Sequence, residues 1–155
     1  MEKTSQRRAP TELRIDRHYP FPPENVWRAW TEPQALSHWF GTGRPGSVTE
    51  AQVDLRVGGR YRIVSTQPGA ETHDVSGEYL EVLPHVRLVF TWAWRSTPER
   101  VSRVSIDFVP QDGGTRLRFV QDRFFDDEAR IAHERGWKPA FEQLDTFLQL
   151  DTEEP

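Results

Sequence analysis

Along residues 77–119 large apolar side chains recur at every second position. In the segment 88–94, Leu88, Phe90, Trp92 and Trp94 fall on one face. Val104, Ile106 and Phe108 do the same, and Leu117 and Phe119 alternate with Arg116 and Arg118. Period-two alternation of this kind marks an antiparallel sheet with one face buried and one in water. The buried face is rich in rings, so its area is large. A face of that size needs a cover, and a cover over a curved sheet leaves room for a pocket.

The same reading extends to both ends of the chain. Residues 12–19 alternate and predict an edge strand. Pro22 and Pro23 suit a helix start, where a missing N–H costs little, and Val26, Trp27 and Trp30 recur at helical spacing over 23–31. Thr31 is placed to cap a second short helix, with Pro33 in its first turn. That helix, 33–38, delivers Leu36, Trp39 and Phe40. A glycine-rich loop, 41–46, follows. Strands are predicted at 48–55, 60–66, 72–83, 86–95, 100–109 and 115–122, the last hairpin turning at Asp112-Gly113-Gly114. From Asp126 the period changes to about 3.6 residues. Ile131, Trp137, Phe141, Leu144, Phe147 and Leu148 share a stripe. Gly136 and Pro139 predict a kink or break, with 138–150 as the firm part. Consecutive hairpins give an antiparallel meander, and the final helix must bury its stripe on the aromatic sheet face. The fold class is α+β: a curved antiparallel sheet wrapped around a long C-terminal helix, with two short helices after the first strand.

The chain has 155 residues and reads as one domain, 11–150, with a disordered lead at 1–10 and a tail at 151–155. Aromatic residues make up 12% of it, which makes a core feasible although only 35% of the residues are hydrophobic. There is no cysteine, which excludes disulfides and thiolate chemistry and fits a cytoplasmic location. No apolar run approaches the length of a membrane span. The net charge of −4 gives no reason to expect a nucleic-acid partner. Arginines such as Arg60, Arg62, Arg116 and Arg118 are spaced along strands and suit a solvated outer face.

Several phrases occur together in a familiar order: Val26-Trp27-Arg28-Ala29-Trp30-Thr31-Glu32-Pro33, Trp39-Phe40-Gly41, Asp54-Leu55-Arg56-Val57-Gly58-Gly59-Arg60-Tyr61, Gly77-Glu78-Tyr79-Leu80-Glu81-Val82, Arg87-Leu88-Val89-Phe90-Thr91-Trp92 and Gly136-Trp137. In this the chain resembles, over about 13–150, the family named for homologues of the activator of the ninety-kilodalton heat-shock protein ATPase. The resemblance implies the START-like, or helix-grip, fold of the SRPBCC superfamily. Members of that superfamily bind hydrophobic molecules between sheet and long helix, and some are cyclases or hydrolases. The chaperone activity in the family's name belongs to two-domain co-chaperones, whereas this chain is expected to hold one domain. Where the family pattern has Leu-Thr-His, this chain has Phe119-Val120-Gln121, so the cavity rim there is particular to it.

The expected function is non-catalytic binding of a small hydrophobic molecule. Trp39, Phe40, Tyr61, Trp92, Trp94, Phe119, Trp137 and Phe141 are the candidate lining, with Glu78 as the polar contact. Strict alternation puts Glu78 on the core face if Leu80 and Val82 are there. An inward carboxylate is costly unless paired or solvated, and it would anchor a ligand or serve as a general acid or base. A bulge near Gly77 would instead turn it outward, or an arginine such as Arg103 would pair with it. If the turn is centred on His85, Glu78 lies opposite Trp92; a centre half a step earlier pairs it with Thr91. The alternatives are a cyclase- or hydrolase-like enzyme in the same cavity and a chaperone-type interaction module, with a homodimer and a chaperone as the partners left open. None of His18, His38, His73, His85 and His133 stands at metal-ligand spacing, so neither a metal nor a cofactor is expected.

Overall fold

The computed structural model describes residues 12–41, 46–70 and 72–153. The expected lead, most of the 41–46 loop and the last two residues lie outside them. The elements are β1 (Leu13–Tyr19), α1 (Pro23–Thr31), α2 (Pro33–Trp39), β2 (Val48–Val53), β3 (Arg60–Thr66), β4 (His73–Leu83), β5 (Arg87–Trp94), β6 (Ser102–Gln111), β7 (Gly114–Asp122) and α3 (Asp127–Glu153). The seven strands form one sheet in the order β1-β7-β6-β5-β4-β3-β2. Each neighbouring pair is antiparallel. Successive hairpins therefore build β2 to β7, and β1 returns to the edge beside β7. This is the antiparallel meander that the alternation predicts, in the helix-grip arrangement that the resemblance implies.

The inner face carries the predicted side chains. Leu88, Phe90 and Trp92 of β5, Val104, Ile106 and Phe108 of β6 and Leu117 and Phe119 of β7 are all buried. From α3 they meet Trp137, Ala140, Phe141, Leu144 and Leu148, buried in the same cluster. The outer face is stitched by arginine–carboxylate pairs. Arg116 reaches Asp16 at 2.8 Å, Arg62 reaches Asp74 at 2.8 Å and Arg103 reaches Asp122 at 2.9 Å. Exposed pairs of this kind add little stability each, but they fix which face is wet.

Two local expectations are corrected. Thr31 does not cap α2: its hydroxyl donates to the Trp27 carbonyl at 2.9 Å inside α1, and Glu32 holds the cap position without a side-chain hydrogen bond. Of the kink or break predicted at Gly136–Pro139, the break is absent, since α3 runs through Pro139 to Glu153. Proline costs the helix one hydrogen bond there. Trp137, Ala140 and Phe141, buried on either side of it, offset that loss by packing.

Candidate functional site

α1 and α2 close one side of the space between sheet and α3. The Trp39 indole N–H donates to the Ala29 carbonyl at 2.7 Å, which locks the two short helices together. Phe40 ends α2. Its carbonyl accepts from Thr49 at 3.0 Å, and the next carbonyl, of Gly41, accepts from the Gln143 amide of α3 at 2.7 Å. The loop that follows is thus tied at its start to both β2 and α3.

Seven of the predicted lining residues come together in one layer of rings. Trp137 lies 5.1 Å from Trp92, 4.8 Å from Phe119, 5.8 Å from Phe40 and 5.9 Å from Phe141, centroid to centroid. Trp39 joins through Phe40 at 5.6 Å and Trp94 through Trp92 at 5.4 Å. Trp137 occupies the centre of this layer. Tyr61 stands apart, in a group with Phe90 at 5.2 Å and Tyr79 at 5.6 Å. Its hydroxyl donates to the Thr91 carbonyl at 2.6 Å, and burial pushes the phenol well above its usual range.

Glu78 is elsewhere, and its expected place is corrected. The buried positions of β4 are Val75, Gly77 and Tyr79, while Leu80 is 43% exposed. Glu78 shares the outer face with Arg60, its partner across β3. A bulge between Tyr79 and Glu81 shifts the β4–β5 register by one residue. Beyond it Val82 pairs with Leu88; before it Tyr79 pairs with Phe90, and the Glu78 N–H is held by the Thr91 hydroxyl at 2.8 Å. The carboxylate therefore neither faces Trp92 nor enters the interior.

The polar groups that do reach the rings are not among the candidate site residues read from the sequence. Gln121 is fully buried. Its carbonyl accepts from the Trp137 indole at 2.7 Å and its amide donates to Ser102 at 2.9 Å. An indole nitrogen can only donate, so the orientation of this amide is fixed. Gln121 stands where the family pattern departs, on the same buried parity of β7 as Leu117 and Phe119. His133 faces the Ala129 carbonyl through Nδ1 at 2.7 Å. A carbonyl only accepts, so Nδ1 carries the proton and Nε2 is left as an acceptor. Nε2 takes indole N–H groups from both Trp92, at 3.2 Å, and Trp94, at 3.0 Å. Burial lowers the pKa of this imidazole. Trp30, read from the sequence only as a helix core residue, is the third. Its ring sits 4.8 Å from Trp39 and 6.0 Å from Trp137. Its indole N–H is buried and has no hydrogen-bond partner among the described residues. Among the described residues no group of three His, Asp or Glu side chains is placed to hold a metal ion, and no helix is long and apolar enough to cross a membrane.

A curved sheet gripping a long helix, with two short helices after the first strand, can be compared with known families. The family model described as "Activator of Hsp90 ATPase homolog 1-like protein" matches residues 20–149. The chain belongs to this family. Solved structures resemble this Activator of Hsp90 ATPase homolog 1-like chain throughout. A protein from Chromobacterium violaceum is 28% identical with a TM-score of 0.80, covering 90% of this chain and 98% of its own. A protein from Nitrosomonas europaea is 28% identical at 0.77, covering 95% and 99%. The AHSA1 protein from Silicibacter pomeroyi is 26% identical at 0.78, covering 90% and 99%. No curated protein matches the chain.

Proposed function

We propose that the chain binds a small, largely apolar molecule, without catalysis, in the ring-lined space between the curved sheet and α3. Family and fold together point to a ligand-binding or chaperone-related module. The observation that carries the finer reading is the Trp30 indole N–H, buried without an acceptor among rings. A buried polar group left unpaired is unusual enough to call for a partner. The indoles of Trp39, Trp92, Trp94 and Trp137 each already have one. The ligand would therefore be apolar with one acceptor oxygen. The rings of Trp39, Phe40, Trp92, Phe119, Trp137 and Phe141 supply contact area, and the acceptor sets orientation. Trp137 holds the centre, so uptake requires rings to move, and partly buried Phe40 beside the loop is the natural one to yield. With Glu78 on the outer face, the acid–base enzyme built on it has no support. A chain without cysteine suits a reducing compartment such as the cytoplasm.

The test is tryptophan fluorescence titration with 2-acetylnaphthalene, which carries a carbonyl acceptor, and 2-ethylnaphthalene, which does not. Saturable quenching is expected with both, tighter for the ketone, and the preference should vanish in Trp30→Phe. Absence of saturable quenching by either probe would defeat the proposal. It would leave the interaction-module reading, which the exposed apolar side chains of Leu80, Leu83 and Val86 along the β4–β5 hairpin favour.

A further inference from the structure

β1 and β2 end the sheet, so each has one edge without a neighbouring strand. Such an edge presents unpaired backbone groups, which proteins commonly guard with charge, proline or a bulge. β1 is guarded. It carries Arg14, Asp16, Arg17 and His18, and Arg17 is drawn to Asp145 of α3 at 3.1 Å. β2 has none of these devices. Its six residues, Val48–Val53, hold one charge, Glu50, and they pair with β3 in unbroken register.

The direction of its backbone groups follows from the pairing with β3. The Asp54 N–H donates to the Arg60 carbonyl at 3.0 Å. Antiparallel partners alternate between bonded and unbonded pairs, so Gln52, Glu50 and Val48 also turn their backbone groups to β3. Thr49, Ala51 and Val53 turn theirs to the open side, where among the described residues they meet no backbone partner. The side chains divide by the same parity. Val48, Glu50 and Gln52 are exposed, while Ala51 and Val53 pack against the core and the Thr49 hydroxyl donates to the Phe40 carbonyl.

We propose that β2 pairs antiparallel with β2 of a second copy, across a two-fold axis at Ala51, and joins the two sheets into one. Two requirements select this centre. Outward-turned backbone must meet outward-turned backbone, which excludes every register centred between residues. Opposed side chains must not repel. A centre at Glu50 sets that carboxylate against itself, and one at Gln52 sets it against Asp54. A centre at Thr49 or Val53 runs half the pairing off the strand. A centre at Ala51 sets Glu50 against Gln52, whose amide donates to the carboxylate. Ala51 then faces Ala51 of the second copy, Thr49 faces Val53, and each of these pairs exchanges backbone hydrogen bonds. The contact closes on itself and leaves the guarded β1 at both ends of the joined sheet. It does not rest on the reading given for the ring layer.

The experiment is sedimentation equilibrium of the full chain from micromolar to millimolar concentration. The wild type should show a reversible monomer–dimer equilibrium. Gln52→Glu puts like charges opposite each other at both symmetric places and should weaken the dimer roughly 5- to 30-fold. The exchange variant, Glu50→Gln with Gln52→Glu, again sets a glutamate against a glutamine and should recover the wild-type constant. Both side chains are exposed, so melting curves of the dilute proteins should coincide. A wild type that stays monomeric throughout would overturn the proposal. So would a dimer indifferent to Gln52→Glu, which would lie at another surface, or one that the exchange variant fails to restore. A monomer that captures a synthetic peptide of residues 47–54 would also overturn it, making the edge a peptide site.

Discussion

Acid should unfasten this domain at His133. The neutral ring gives its one proton to the Ala129 carbonyl and offers one lone pair to the Trp92 and Trp94 indoles. Protonating Nε2 would aim a third N–H at two N–H donors, so both hydrogen bonds are lost and a charge is left in a largely apolar place. The folded-state pKa is accordingly lowered from the ordinary 6.5. The sign follows. Above about pH 6.5 the ring is neutral in both folded and unfolded chains, and stability is intact. As pH falls, the unfolded chain takes up a proton that the folded one refuses, and stability declines until the folded-state value is passed. The slope is about 1.4 kcal/mol per pH unit. By pH 5 the loss is at most roughly 2 kcal/mol, or about 4–8 °C in Tm for a chain of this size. Asp16 and Asp74, whose carboxyls are held below their ordinary 3.8 by arginine, titrate outside this window. Thermal unfolding from pH 7.5 to 5, for the wild type and for His133→Asn, isolates the effect. The variant should start less stable and show a shallower decline. Parallel curves for the two proteins would refute the reasoning.

Two glycines should respond in opposite directions. A Cβ on Gly77 would stand 1.9 Å from the Thr91 carbonyl oxygen and 2.8 Å from the Tyr61 ring; Gly77→Ala should cost about 1–3 kcal/mol or more in urea unfolding, because strand or ring must shift, and an unchanged midpoint would contradict this packing. A Cβ on Gly136 meets nothing within 4 Å, so Gly136→Ala should raise stability by about 0.5–1 kcal/mol, read as a higher Tm, through helix propensity alone.

What the alternation made legible was the sheet. Leu88, Phe90 and Trp92, and Val104, Ile106 and Phe108, are buried where period two puts them. It failed at β4, where Gly77 and Tyr79 on one parity compete with Leu80 and Val82 on the other. The bulge lets both runs be apolar, and nothing local says which one faces inward. Five of the seven converging rings, Trp92, Trp94, Phe119, Trp137 and Phe141, lie on faces that the period identifies, while Trp39 and Phe40 come from the end of α2. The polar groups among them were illegible for a different reason. His133 reads as one polar residue near an apolar helical stripe, and its partners lie 39 and 41 residues back on β5. Gln121 sits on the buried parity of β7 with nothing local to satisfy it, and its partners come from β6 and α3. Such pairings belong to tertiary geometry, which periodicity does not encode. Pro139 misled for a related reason, since propensity yields to packing when the flanking turns are buried.

The position of β1 has a consequence for how the chain assembles. From β2 to β7 each strand finds its neighbour through a short hairpin, so pairing can spread from turn to turn with little loop entropy to overcome. β1 has no such help. Asp16 reaches Arg116 across 100 residues of chain, and the Leu13–Tyr19 strand has β7 as its neighbour in the sheet. A ribosome makes β1 about 100 residues before the strand it pairs with. Until β7 follows, this strand is an unpaired template, open to other strands, and Arg14, Asp16 and His18, alternating along it, keep that waiting edge charged and polar.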